Sequence, residues 1–182
     1  MPWFRLETPR LLLRPPEPGD VGAIAIQMSD WDVVKNLARA PYPYTENHAR
    51  DFIARQEEGR AKGADYVFAV VQKPDNALVG MCGVHLREDG FELGYWIGRP
   101  HWKQGYATEA GAEVLAFAFR NLRAEQVSAG WFHDNPASGR VLDKLGFGAE
   151  GTALRDCVAR GHGVLCNLVV LKREAFAQRQ AA

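Results

Sequence analysis

The 182-residue sequence predicts a mixed α/β fold, a mostly antiparallel central sheet flanked by helices. Three observations carry that expectation. Strand-like runs follow one another between residues 66 and 97, joined by short turns, which suits an antiparallel meander. Segments with apolar residues at i, i+3, i+4 and i+7 interrupt the strands, as helices packed on a sheet do. A last pair of strand-like runs is joined by Arg160–Gly161–His162–Gly163, a hairpin signal. The resulting order along the chain is β-α-α-β-β-β-α-β-α-β-β, in a single domain spanning about residues 6–176.

Each element has its local reason. Leu11–Leu12–Leu13–Arg14 reads as the first strand, closed by Pro15–Pro16–Glu17–Pro18–Gly19, which continues neither strand nor helix. Asp20 stands as the N-cap of a helix running to about Met28. After an irregular Pro41–Tyr42–Pro43–Tyr44, Thr45 caps a second helix with Ala49, Phe52, Ile53 and Gln56 on a narrow buried stripe, ended by Gly59 and Gly63. Tyr66–Val71 is aromatic and β-branched. Pro74–Asp75–Asn76 turns the chain into Leu78–Leu86, and Asp89–Gly90 turns it again into Phe91–Ile97. From Thr108 the pattern is helical, with Gly111, Val114, Leu115, Ala118 and Leu122 on one stripe. Gln126–Trp131 is a strand. Asn135 caps a short helix with Pro136 at its first position and Gly146 just past its end. Leu154–Ala159 and Val164–Leu171 form the final hairpin.

Composition narrows the function. Hydrophobic residues make up 47% and charged residues 24%, ordinary values for a globular chain. Formal net charge is zero and the pI about 7.0, which argues against a broad nucleic-acid or anionic-membrane surface. No apolar run approaches the roughly 20 residues that span a bilayer, and Met1–Pro2–Trp3–Phe4–Arg5 lacks a signal-peptide layout. Cys82, Cys157 and Cys166 lack a Cys-x-x-Cys pair and read as reduced, buried residues, so a cytoplasmic protein is expected. The five histidines, His48, His85, His101, His133 and His162, show no metal spacing, and no metal is expected.

The most informative stretch is Gly94–Tyr95–Trp96–Ile97–Gly98–Arg99–Pro100–His101–Trp102–Lys103–Gln104–Gly105–Tyr106–Ala107–Thr108–Glu109–Ala110. It reads as a strand, a tight turn and the first turn of a helix. Backbone N–H groups at such a helix start are unpaired, and their partial positive charge suits a pyrophosphate. Neither the P-loop pattern nor the dinucleotide fingerprint is present. A second segment, Asn135–Pro136–Ala137–Ser138–Gly139–Arg140–Val141–Leu142–Asp143–Lys144–Leu145–Gly146–Phe147, follows at a suitable separation. Together the two segments resemble the cofactor-binding motifs of the GNAT superfamily of N-acetyltransferases. Thr8–Pro9–Arg10–Leu11–Leu12–Leu13–Arg14–Pro15 further resembles the opening of its RimJ/RimL-type branch. Trp102 stands where that branch often has tryptophan, while Lys103 replaces a common glycine.

The resemblance implies the GNAT fold and acetyl transfer from acetyl-CoA to a primary amine. It assigns the backbone N–H groups of Lys103, Gln104, Gly105, Ala107 and Thr108 to the pyrophosphate, and the backbone near Ile97 to the pantetheine arm and the thioester carbonyl. Splaying of strands after Ile97 would open the cleft. Many GNATs protonate the departing thiolate with a tyrosine, but the matching position here is Leu142. The resemblance puts Ser138 in that role, with Asn135 supporting the cofactor or a water. Strand alternation places Glu92 beside Trp96, where desolvation would raise its pKa and make it the candidate base. Arg140 and Lys144 share a helix face and either reach the phosphates or lie on the surface. Trp31, Tyr42, Tyr44 and His133 are candidates to line an acceptor pocket. The expected acceptor is a protein or peptide N-terminal α-amine. A small-molecule amine (polyamine, amino acid or antibiotic) and a non-catalytic acyl-CoA-binding module are the alternatives. Related proteins are often monomers or dimers, and a monomer or homodimer is expected.

Overall fold

The computed structural model describes residues 4–181. Eight strands occur in chain order as β1 (Leu6–Glu7), β2 (Leu11–Arg14), β3 (Asp65–Gln72), β4 (Leu78–Arg87), β5 (Gly90–Ile97), β6 (Gln126–Phe132), β7 (Gly148–Cys157) and β8 (His162–Lys172). The helices are α1 (Val21–Met28), α2 (Trp31–Val34), α3 (Glu46–Ala61), α4 (Tyr106–Arg120), α5 (Pro136–Leu145) and α6 (Arg173–Ala181). The strands form one sheet in the order β1-β2-β3-β4-β5-β6-β8-β7. Every neighbouring pair is antiparallel except β5 and β6, which run parallel. The expected mostly antiparallel sheet with flanking helices is therefore what the chain forms.

Alternation along β3 shows how both faces are buried. Phe68 and Val70 point into a core with Val114 and Phe117 of α4, Leu142 of α5 and Phe176 of α6. Val67, Ala69 and Val71 point the other way, against Ile24 and Met28 of α1 and Ile53 of α3. The three cysteines are free and buried.

Local chemistry departs from the sequence expectation in several places. Thr45 caps α3 as expected, accepting from the His48 N–H (3.4 Å). Asp20 occupies the N-cap position of α1 but makes no cap hydrogen bond. Its carboxylate is taken by Arg14 through two contacts of 2.8 Å and by the Glu17 N–H at 2.8 Å, because Asp20 ends a 3₁₀ turn over Pro18–Asp20 and its side chain reaches back to the start of that turn. Gly59 does not end α3. It lies inside the helix, where a Cβ would come within 2.2 Å of Asp65 Oδ2, so its absence lets β3 close on the helix. Gly63, at φ +72°, follows the true end. β7 begins at Gly148, six residues before the expected start, and a register shift between Ala149 and Gly151 keeps it paired with β8. The two-residue β1, the four-residue α2 and α6 were not expected. The first two are too short for a periodic signal.

Candidate active site

The decisive feature of the sheet is the junction of β5 and β6. Only Phe91 with Val127 and Glu92 with Ser128 are paired. Beyond them the strands part, so the divergence starts at Leu93 rather than after Ile97. The antiparallel ladder on the other side fixes what faces the gap. The Gly98 N–H donates to Val79 O (2.9 Å), so Val79 and Gly98 are a hydrogen-bonded pair. By alternation Ile97 and Tyr95 turn their own N–H and C=O away from β4, toward the cleft. A strand edge with free amide groups accepts an extended amide-bearing chain as another strand would. At its end, the Trp102 indole N–H donates to Ile97 O at 2.6 Å, which leaves the Ile97 N–H as the free group there.

The loop after β5 sets up the second part of the site. A 3₁₀ turn over Arg99–His101 leads to Lys103 at φ +60° and Gly105 at φ +81°. Lysine therefore occupies a left-handed position where glycine carries no Cβ penalty, which costs about 1 kcal/mol. Among the described residues, no hydrogen bond uses the N–H of Lys103, Gln104 or Gly105, and α4 starts at Tyr106 with its first bond running from Glu109 N to Gly105 O. The amides of Tyr106, Ala107 and Thr108 lie ahead of that bond. These free donors at a helix start fit a pyrophosphate.

The loop is clamped from β2's approach. Arg10 donates to Glu109 Oε2 (2.7 Å) and to Gln104 O (3.0 Å), and stacks 4.7 Å over the Tyr106 ring. Thr8 donates to Glu109 Oε1 at 2.5 Å. Burial pushes the Glu109 carboxyl up, but Thr8 and Arg10 outweigh it and hold it below the usual carboxylate range.

Across the cleft stands α5. Asn135 is at its N-cap position without a cap bond from its side chain, so the amide stays available. Gly139 lies where a Cβ would come within 2.9 Å of the Trp131 ring, which seats the helix tightly on β6. Ser138, in the first turn, lies 2.6 Å from the Tyr95 hydroxyl of β5. Leu142 is fully buried in the core and offers no proton donor. Arg140 and Lys144 are exposed.

On the opposite face Glu92 sits at the vertex of the divergence. It accepts from Arg87 Nε (2.9 Å) and from Arg155, which extends from β7 past Gly130. A Cβ on Gly130 would stand 3.4 Å from that guanidinium. The expected rise in the Glu92 pKa is not what this setting produces. Burial raises it, but the two arginines outweigh burial and the carboxyl is held below the ordinary range.

A pocket of about 290 Å³ opens beside Trp102 and Asn135, lined also by Asp32, Lys35, Asn36 and Asp134. None of the four residues expected to line an acceptor pocket is among them. Trp31 and Tyr42 stack edge to face 5.1 Å apart on the surface, Tyr44 is half-buried with its phenol pushed up to about 12 by burial, and His133 is exposed. Their sequence neighbours Asp32 and Asp134 line it instead, both held low, by Lys35 and Arg160 respectively. Among the described residues no three His, Cys, Asp or Glu side chains are grouped to hold a metal, and no helix is long and apolar enough to cross a membrane.

Residues 10–148 match the family model of the acetyltransferase (GNAT) domain. The chain belongs to the GNAT acetyltransferases. It is 32% identical over 154 residues to an uncharacterized N-acetyltransferase, p20, of Bacillus licheniformis, covering 83% of this chain and 85% of that one. Its structure resembles a GNAT-family acetyltransferase of Bacillus anthracis (TM-score 0.81, 25% identity, 93% and 99% of the two chains). It also resembles RimL, a ribosomal L7/L12 α-N-protein acetyltransferase, in complex with coenzyme A (TM-score 0.82, 17% identity, 94% and 99%). The protein is therefore an acyltransferase enzyme, and acetyl-CoA is its acetyl donor. In this GNAT chain, Tyr95, Arg10 and Glu109 make contacts at the candidate site to which sequence reasoning gave no role. Arg10 was legible only as part of a resembling segment, since nothing in its spacing announces a contact 99 residues away.

Proposed function

We propose that this enzyme acetylates the N-terminal α-amine of a protein or peptide, by direct attack of the amine on acetyl-CoA in a ternary complex. The observation that carries the reading is the convergence on one cleft of the free loop amides, the unpaired edge of β5 and Ser138. The N–H groups of Lys103, Gln104, Gly105, Ala107 and Thr108 hold the pyrophosphate, and the free N–H of Ile97 receives the thioester arm. Acetyl-CoA supplies the activated acetyl group. Ser138 donates a hydrogen bond to the coenzyme A sulfur as the thiolate leaves, and Asn135 holds the adjoining polar groups.

Glu92 serves as proton acceptor through water. A carboxylate held ionised by two guanidiniums is a weak base, which favours an acceptor that loses its proton readily. An α-ammonium, with pKa about 7.7–8.0, is roughly a tenth neutral at pH 7, whereas a lysine near 10.4 is well under a thousandth neutral. The α-N activity of the RimL neighbour supports the same choice. The small pocket between Asp32 and Asp134 favours a second reading, a compact cationic amine as acceptor.

The test is radiolabelled acetyl transfer to three panels: lysine-free peptides with open N-termini, N-blocked peptides carrying lysine, and small amines. Transfer to the first panel is expected. Transfer confined to small amines would establish the second reading, and transfer confined to lysine would overturn both.

A further inference from the structure

The backbone hydrogen bonds joining the two lips of the cleft stop at Glu92 and Ser128, yet on the α4–α5 side one side-chain contact reaches across higher up. Tyr95 is three residues beyond the last paired position of β5. Its ring lies on the same face as Leu93 and Ile97, packed against the main core, so the phenol is delivered to α5 by a fixed strand rather than by a loop. The hydroxyl meets Ser138 twice: its Oγ at 2.6 Å and its carbonyl oxygen at 3.2 Å. Gly139, pressed on Trp131, fixes the height of that helical turn above the sheet.

We propose that Tyr95 is a positioning residue for Ser138, its phenol donating to Ser138 Oγ so that the serine keeps its own hydrogen for the sulfur of coenzyme A. This rests on the role given to Ser138 above. A phenol has one hydrogen, and the nearer of its two acceptors is Oγ. A serine whose oxygen is already engaged as an acceptor is restricted in rotation and becomes a better donor through polarisation. Burial pushes the Tyr95 pKa up, so the phenol stays neutral and holds the serine without giving up its proton. The device replaces a tyrosine donor on the helix itself, where this chain has the buried Leu142. Here the tyrosine comes from the strand and acts at one remove.

The test needs no acceptor. Dissociation constants for coenzyme A and desulfo-coenzyme A are measured by calorimetry near pH 10, where the alkyl thiol of the cofactor is largely ionised. The proteins are wild type, Tyr95→Phe, Ser138→Ala and the double variant. Phenylalanine fills the same ring space, and unchanged affinity for desulfo-coenzyme A confirms that each variant keeps its fold. Wild type is expected to prefer the sulfur-bearing ligand by about tenfold, the scale of a hydrogen bond to a charged group. Ser138→Ala removes the preference. Tyr95→Phe cuts it at least threefold, and the double variant is no worse than Ser138→Ala. If Tyr95→Phe keeps or increases the preference while Ser138→Ala loses it, serine donates to the phenol and the proposal for Tyr95 is overturned, while Ser138 retains its role. If Ser138→Ala keeps the preference, the role of Ser138 fails first and takes the proposal with it.

Discussion

Glu92 shows what a single residue in this site balances. Its carboxylate is 15% exposed and accepts from guanidiniums that come from β4 and β7, on opposite sides of the β5–β6 junction. Removing the charge leaves two partly buried arginines without their partner. Because those arginines are a third or more exposed, the penalty falls well below that of a fully buried pair, at about 1–2 kcal/mol. Glu92→Gln is therefore expected to lower the unfolding midpoint by roughly 2–8 °C at pH 7. The sign with pH follows from a folded pKa below the unfolded one. The stabilisation is complete above the ordinary carboxylate pKa of about 4.3 and is lost as pH falls through the folded value. Thermal melts at pH 7 and stepwise below pH 4 check this. The wild-type advantage should shrink on acidification, and an advantage that persisted would place the effect in packing instead of charge. Sequence alternation put Glu92 on the same face of β5 as Trp96, four residues along the strand, and its neighbours are instead Arg87 and Arg155. Alternation did not disclose Arg155, 63 residues away on β7, which no local pattern ties to β5.

Among the elements, the segment leading into β2 works as a strap on the first turn of α4. Arg10 ties Gln104 O and Glu109 together, and Thr8 adds a second bond to the same carboxylate. Arg10 is half exposed, so Arg10→Ala costs the fold less than about 1 kcal/mol. The loop it holds contains the free amides, and losing one ordered contact there is expected to weaken acetyl-CoA binding about 3–10-fold. Calorimetric titration with coenzyme A measures it directly. Arg10→Lys should fall between, since an ammonium cannot serve the carboxylate and the carbonyl in the same forked geometry. Unchanged affinity in Arg10→Ala would show the loop to be held by Trp102 and the strained Lys103 alone. The elements themselves were legible where periodicity runs long, as in the α4 stripe and the β3–β5 meander. Caps were less so. Asp20 and Asn135 hold the cap positions that the sequence marks, but neither makes the cap bond: a nearby arginine claims Asp20, and Asn135, at φ −118° and ψ 64°, departs from the extended backbone of a usual cap. Residue type locates a helix start, while the side chain's partner is settled by tertiary neighbours.

At the scale of the whole molecule, two blocks of antiparallel sheet meet along a parallel seam only two residue pairs long, and a common core of Leu93, Ile97, Val127, Ala129 and Leu142 holds them together beneath it. Such a seam opens a cleft without needing a hinge, so ligand binding should add contacts to a frame already formed. The thermodynamic consequence is fixed by mass action. Acetyl-CoA at one hundred times its Kd adds about 2.7 kcal/mol, which for a chain of this size raises the unfolding midpoint by roughly 5–11 °C. The distribution of that stability is the sharper expectation. Hydrogen exchange with and without acetyl-CoA should slow at the β5 edge from Leu93 to Ile97, in the loop and first turn from Lys103 to Thr108, and at the start of α5. The β7–β8 hairpin beyond the Glu92–Arg155 contact, whose β7 is one of the two edge strands of the sheet, should exchange as before. Slowing spread evenly over all eight strands would mean that the two blocks move against each other in the free enzyme and that acetyl-CoA closes them. A midpoint shift with no slowing at residues 103–108 would place the phosphates away from the loop and remove the pyrophosphate assignment.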